Sequence, residues 1–107
     1  MSAKRVILRK EAERDIEEAI AYYLQEAGAD TALAFVDEVE HGLTQLADNP
    51  AIGSPRYAVE LDLPGLRTWP LKQFPHLIFY VELDTGLDVW RILHGQRDIP
   101  VSLQSSA

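Results

Sequence analysis

A chain of 107 residues, 47% hydrophobic and 25% charged, has the composition of an ordinary folded domain and the length to bury a core without covalent staples. It contains no cysteine, which excludes disulfides, thiolate metal sites and a cysteine nucleophile and fits a reducing compartment. Its formal charge of −7 disfavours broad binding to phosphate backbones. Taken in order, Arg5–Leu8 is a short β-branched run and reads as a first strand. A helix follows over 10–27, because Ala12, Ile16, Ala19, Ile20, Tyr23, Leu24 and Ala27 recur at three and four residues and make one apolar stripe. Tyr22 lies at the edge of that stripe beside Asp15 and Glu18. Gly28 can end the helix in a left-handed conformation, and Asp30 can cap the next one.

The second helix is expected over 31–48, with Ala32, Phe35, Val36, Val39, Leu43, Leu46 and Ala47 as its stripe and Asn49-Pro50 as its stop. Gly42, at the stripe edge, would let another backbone come close. The short connection at Gly28-Ala29 makes the helices antiparallel neighbours. Residues 50–65 are punctuated by Pro50, Gly53, Pro55, Pro64 and Gly65 and read as an irregular loop. Leu66–Leu71 reads as a strand that Pro70 demotes to an edge. Leu77–Val81 is apolar at every position, which places it centrally with both faces covered. It joins a second β-rich run, Asp88–Leu93, through an Asp/Gly turn at 84–87. From about residue 100 the tail is short and Ser-rich and is expected to fray.

The resulting order is β-α-α-β-β-β. The fold class is α+β in two layers, with an antiparallel helical hairpin packed on a small, mainly antiparallel sheet, in one domain over 1–107. Nothing in the sequence sets where the first strand pairs. No apolar segment follows Met1-Ser2 and no run approaches the roughly 18 apolar residues that span a membrane, so a cytoplasmic location is expected.

Chemistry is sparse. His41 and His76 read as solvated surface residues, and no histidine pair has metal-ligand spacing, so no metal site and no cofactor is expected. There is no Gly-rich phosphate loop and no serine elbow. Glu82, Asp84 and Asp88 read as solvated turn acids rather than a catalytic pair. Arg91, set among Val89, Trp90, Ile92 and Leu93, must be paired, snorkelling or waiting for a partner. The polar knot His94-Gly95-Gln96-Arg97-Asp98 has two readings: a brace in which Asp98 pairs Arg97 or Arg91, or an exposed recognition patch with Arg67 and Lys72. If Arg67, Lys72 and Arg91 share a face, they form a small positive site on an acidic protein.

Several short motifs, in order, resemble one family. They are Ala12-x-x-Asp15 with Tyr22-Tyr23, then Asn49-Pro50-x-x-Gly53, Gly65-Leu66-Arg67, Phe74-Pro75-x-Leu77-Ile78-Phe79-Tyr80, and Ile92-Leu93-His94-Gly95-x-Arg97-Asp98. Together they span about residues 5–98 and are similar to ParE-type toxins of the RelE/ParE superfamily, from type II toxin–antitoxin modules. The resemblance implies a toxin that inhibits DNA gyrase without being an enzyme, neutralised by a cognate antitoxin of the ribbon-helix-helix type in a hetero-oligomer, with no direct nucleic-acid or membrane binding. It leaves two alternatives: an mRNA-cleaving toxin of the RelE type, in which Arg67, Lys72, Arg91 and His94 would be assembled, and a non-toxic member that only partners an antitoxin. Against cleavage stand the acidic balance and the lack of any tyrosine after Tyr80. Candidate target-binding residues are Arg67, Lys72, Arg91, His94, Arg97 and Asp98, with no catalytic residue assigned. Candidate antitoxin contacts are Tyr22, Tyr23, Trp69 and Phe74, where core packing competes as the reading of Tyr23.

Overall fold

The apolar stripes become two long helices. Helix α1 spans Lys10–Glu26 and α2 spans Ala29–Asp48, joined through Gly28, whose φ of +96° only glycine adopts without strain. The computed structural model describes residues 3–104 and Ser106. Asp30 does not cap α2: the helix already begins at Ala29, so Asp30 lies inside its first turn, where its charge complements the helix dipole instead. Both stripes face the sheet, except at the end of the first, where Leu24 and Ala27 lie exposed beyond the part of α1 that packs on it. Ala12, Ala19, Phe35, Val39, Leu43 and Leu46 pack with Ile78, Tyr80, Leu87, Val89 and Ile92. Gly42 sits in this layer, but it admits side chains rather than a backbone, since an added Cβ would stand 3.2 Å from Ile78 Cδ1 and 3.5 Å from Leu71 Cδ2.

The sheet has strands β1 (Val6–Leu8), β2 (Leu66–Pro70), β3 (His76–Glu82) and β4 (Leu87–His94), in the order β1-β4-β3-β2. Strand β1 runs parallel to β4, and the other neighbours are antiparallel. Strand β2 is an edge, as Pro70 requires, because proline cannot donate to a ladder. Strand β3 is central. Its odd and even positions enter different cores: Ile78 and Tyr80 face the long helices, and Leu77, Phe79 and Val81 face a second cluster with Leu66, Leu93, Ile99 and Leu103. That is why its sequence does not alternate.

Two further helices form the cover of this second face. The stretch expected as loop holds a 3₁₀ turn at Pro50–Ile52 and helix α3 at Arg56–Leu61, whose Tyr57, Ala58 and Leu61 lean on the second cluster. The tail expected to fray holds helix α4, Ile99–Gln104, with Ile99 and Leu103 buried. Six residues cannot sustain a helix in water, so burial rather than propensity makes this one. The β-α-α-β-β-β order therefore stands with two short helices added to it. No helix among the described residues is long and apolar enough to cross a membrane.

Candidate functional site

Strand β1 covers only the first part of β4. Its pairing ends at Leu8↔Val89, and Arg9 N–H adds one more bond to Val89 O at 3.0 Å. Beyond that point the chain turns into α1, and β4 would show an open edge. Asp15 closes it. Its Oδ2 accepts Ile92 N–H at 3.0 Å, and both its oxygens accept from Arg91, from Nε and Nη2 at 2.8 Å each. The pair is buried, with side-chain exposures of 12% for Arg91 and 3% for Asp15. Arg91 Nη1 also donates to Ser102 O of α4 at 3.3 Å, so one guanidinium ties α1, β4 and α4 together. The hydrogen bonds that Arg91 donates to Asp15 raise the Arg91 pKa above its ordinary value, against the opposing effect of burial. A β-bulge just ahead of Arg91, between the Tyr80↔Val89 and Phe79↔Arg91 pairs, breaks the strand alternation where the arginine leaves it.

A second arginine works the same way. Arg9 grips Asp88 at 3.2 and 3.0 Å, donates to Ser106 O at 2.7 Å and lies 4.4 Å from the Trp90 ring centre.

Next to the Asp15–Arg91 pair lies a cleft of about 350 Å³. Asp15, Glu18, Tyr22 and Tyr23 line it from α1, His76 and His94 from the facing ends of β3 and β4, and Arg97 from the turn after β4. His76 and His94 are cross-strand partners with ring centres 5.4 Å apart, edge to face. Tyr23 stands edge to face with both Tyr22, at 5.4 Å, and His76, at 6.2 Å. The four rings form a continuous row along the cleft.

The histidines differ. His94 Nδ1 accepts the Gln96 N–H at 3.1 Å, so a neutral His94 carries its proton on Nε2. His76 is not the surface residue its position after Pro75 suggests. It is 8% exposed, its ring centre lies 4.9 Å from that of Phe35, and its buried Nδ1 has no hydrogen-bond partner among the described residues. Burial first, and His94 second, depress its pKa to about 4, while Asp15 pulls the other way. Burial likewise raises the Tyr23 hydroxyl pKa, with Tyr22 adding to it.

The candidate residues therefore separate. His94, Arg97, Tyr22 and Tyr23 share the cleft. Arg67 is turned inward, its Nη1 donating to Gly53 O at 2.7 Å and Ala51 O at 3.2 Å. Lys72 is exposed beside Asp37, Glu38 and His41 of α2. Arg91 belongs to Asp15, so these three bases make no common positive site. Asp98 braces neither Arg97 nor Arg91; its Oδ1 accepts Val101 N–H at 3.4 Å in the first turn of α4. Phe74 packs edge to face on Tyr23 and Phe35, and Trp69 lies against the helix-side core. Asp15 was not among the candidates; the signal that could have found it is its helical spacing, three residues after Ala12 and four before Ala19, on the buried side of α1, but nothing local points to its partner. Among the described residues, no group of three or more His, Cys, Asp or Glu could hold a metal ion.

A helical hairpin on a four-stranded mixed sheet is a fold shared with a toxin–antitoxin structure. The solved structure described as the chromosomal ParDE TA system from P. aeruginosa aligns with a TM-score of 0.72 at 20% identity, over 86% of this chain and 96% of that one. At that identity the likeness speaks for the fold. Sequence carries the assignment further: the chain belongs to the family of ParE toxins of the type II toxin–antitoxin system, parDE, whose family model matches residues 6–99. It is also similar to Toxin ParE1 of two Mycobacterium tuberculosis strains, CDC 1551 / Oshkosh and ATCC 25618 / H37Rv. Each is 30% identical over 102 residues, which are 94% of this chain and 99% of the relative.

Proposed function

We propose that this toxin acts by binding rather than by catalysis, that its target is DNA gyrase, and that a cognate ribbon-helix-helix antitoxin silences it in the cytoplasm. Family membership supports the toxin and its antitoxin partner. The observation that carries the non-catalytic reading is the commitment of the arginines. Cleaving a phosphodiester needs cations held at the developing charge together with a proton carrier. Arg67 Nη1 is held by the carbonyls of Ala51 and Gly53 and Arg91 by Asp15, and neither lines the cleft; of the groups the cleavage reading would assemble, only His94 does. What the cleft does present is a row of rings with His94 and Arg97, a surface suited to a protein partner.

Expression without antitoxin, followed by a supercoiling assay with purified gyrase beside a transcript-integrity assay, tests this. Blocked supercoiling with intact transcripts is expected, and His94→Ala with Arg97→Ala should weaken the block. Cut transcripts with unimpaired gyrase would replace the proposal with the mRNA-cleaving reading. Growth without arrest would replace it with a non-toxic antitoxin partner.

A further inference from the structure

The chemistry of the cleft is specific. Four rings line it in edge-to-face contact, and in each such pair at least one ring keeps its faces for other partners. Tyr22 is 60% exposed. Glu18, on the same wall, makes no ion pair or hydrogen bond among the described residues, whereas Asp15 beneath it is already neutralised by Arg91. Glu11 and Glu18 both add a negative field at Arg91. The chain carries 11 acids against five bases over residues 1–49, which include all of α1 and α2. Electron-rich ring faces, an uncommitted carboxylate and a negative surrounding field are the elements of a cation site.

We propose that the cleft receives an arginine side chain of a protein partner, its guanidinium stacked on Tyr22 and paired with Glu18. Arginine fits better than lysine because its planar, weakly hydrated head stacks on a ring while its N–H fork meets a carboxylate. The volume of about 350 Å³ is at the low end for ligand clefts, room for a side chain rather than a large molecule. Arg97 is exposed and unpaired among the described residues, and it opposes the incoming charge. The proposal rests on the reading of the cleft as a partner surface, but its test involves neither gyrase nor antitoxin, so either can fail while the other stands.

The test is an NMR titration of the whole protein with N-acetyl-arginine methylamide, and separately with the lysine and glutamate equivalents. The arginine probe should shift the Tyr22, Tyr23 and His94 ring resonances most, the lysine probe less, and the glutamate probe not at all. Tyr22→Leu and Glu18→Gln, both at exposed positions and checked for an unchanged fold by circular dichroism, should each weaken arginine binding about two- to five-fold. Arg97→Ala should strengthen it. Preferential binding of the glutamate probe, weaker arginine binding in Arg97→Ala, or arginine binding unchanged by both other variants would overturn the proposal.

Discussion

Acid should unfold this protein through His76, and a His76→Phe variant isolates the contribution. In the unfolded chain the imidazole titrates near 6.5, and in the fold burial and His94 hold it near 4. The native state therefore binds fewer protons than the unfolded one between those values. The stability is whole above pH 6.5, declines as pH falls through that window, and the loss is complete near pH 4. At about 1.4 kcal/mol per pH unit, the gap amounts to about 3 kcal/mol, a large share of what a domain of this size has. Phenylalanine removes the titration while keeping a ring among Tyr23, Phe35 and His94, and it forfeits no hydrogen bond at Nδ1, which has none among the described residues. Urea denaturation of both proteins at pH 7.5, 6, 5 and 4 reads the effect. Carboxylates shared by the two chains cancel in the difference. The variant should gain on the parent as pH falls, by about 1–3 M in midpoint at pH 4 for slopes typical of small domains. Midpoints that fall in parallel would refute the reasoning, as would an imidazole that titrates near 6.5 by NMR in the folded protein.

Removing Asp15 should be among the costliest substitutions. Asp15→Ala leaves a buried guanidinium and the Ile92 N–H without their acceptor, a loss of about 3–5 kcal/mol by thermal unfolding, and Arg91→Leu in the same chain should recover part of it. Gly53→Ala should destabilise by about 2 kcal/mol, because its Cβ would collide with the buried Tyr80 hydroxyl, which accepts Gly53 N–H at 2.9 Å and donates to Pro50 O at 2.6 Å; Tyr80→Phe should soften the penalty, measured by chemical denaturation. Leu103→Ala should cost about 2–4 kcal/mol and speed amide exchange in α4, whereas Val101→Ala, at an exposed position of the same helix, should change little.

The apolar spacing of residues 12–27 and 32–47 was enough to place both long helices within two residues, since a helix needs only its own periodicity to be legible. The doubly apolar run 77–81 announced a central strand, and Pro70 an edge, for equally local reasons. Tyr22, His94 and Arg97 were legible as site candidates because they are polar or aromatic residues at the margins of apolar patterns. The short helices α3 and α4 were not legible: Pro100, Val101 and Ser102 are poor helix formers, and α3, although Arg56, Ala58, Glu60 and Leu61 favour a helix, is only six residues between Pro55 and Pro64; both are ordered by the second face of the sheet they cover. Nor could the chain order reveal that β1 pairs in parallel with β4, about 80 residues away, since either edge would accept a three-residue strand.

The same limit holds for charge. Sequence alone narrowed Arg91 to an arginine that is paired, snorkelling or waiting for a partner, because a cation in an apolar run cannot be left uncompensated. Only the tertiary structure decided that the partner is Asp15 and that Arg91 is thereby withdrawn from the surface, and only it turned His76 inward. Periodicity is written within a few residues. Which buried charge meets which, and which ring is cut off from water, depends on surfaces that exist only once helices and sheet have packed.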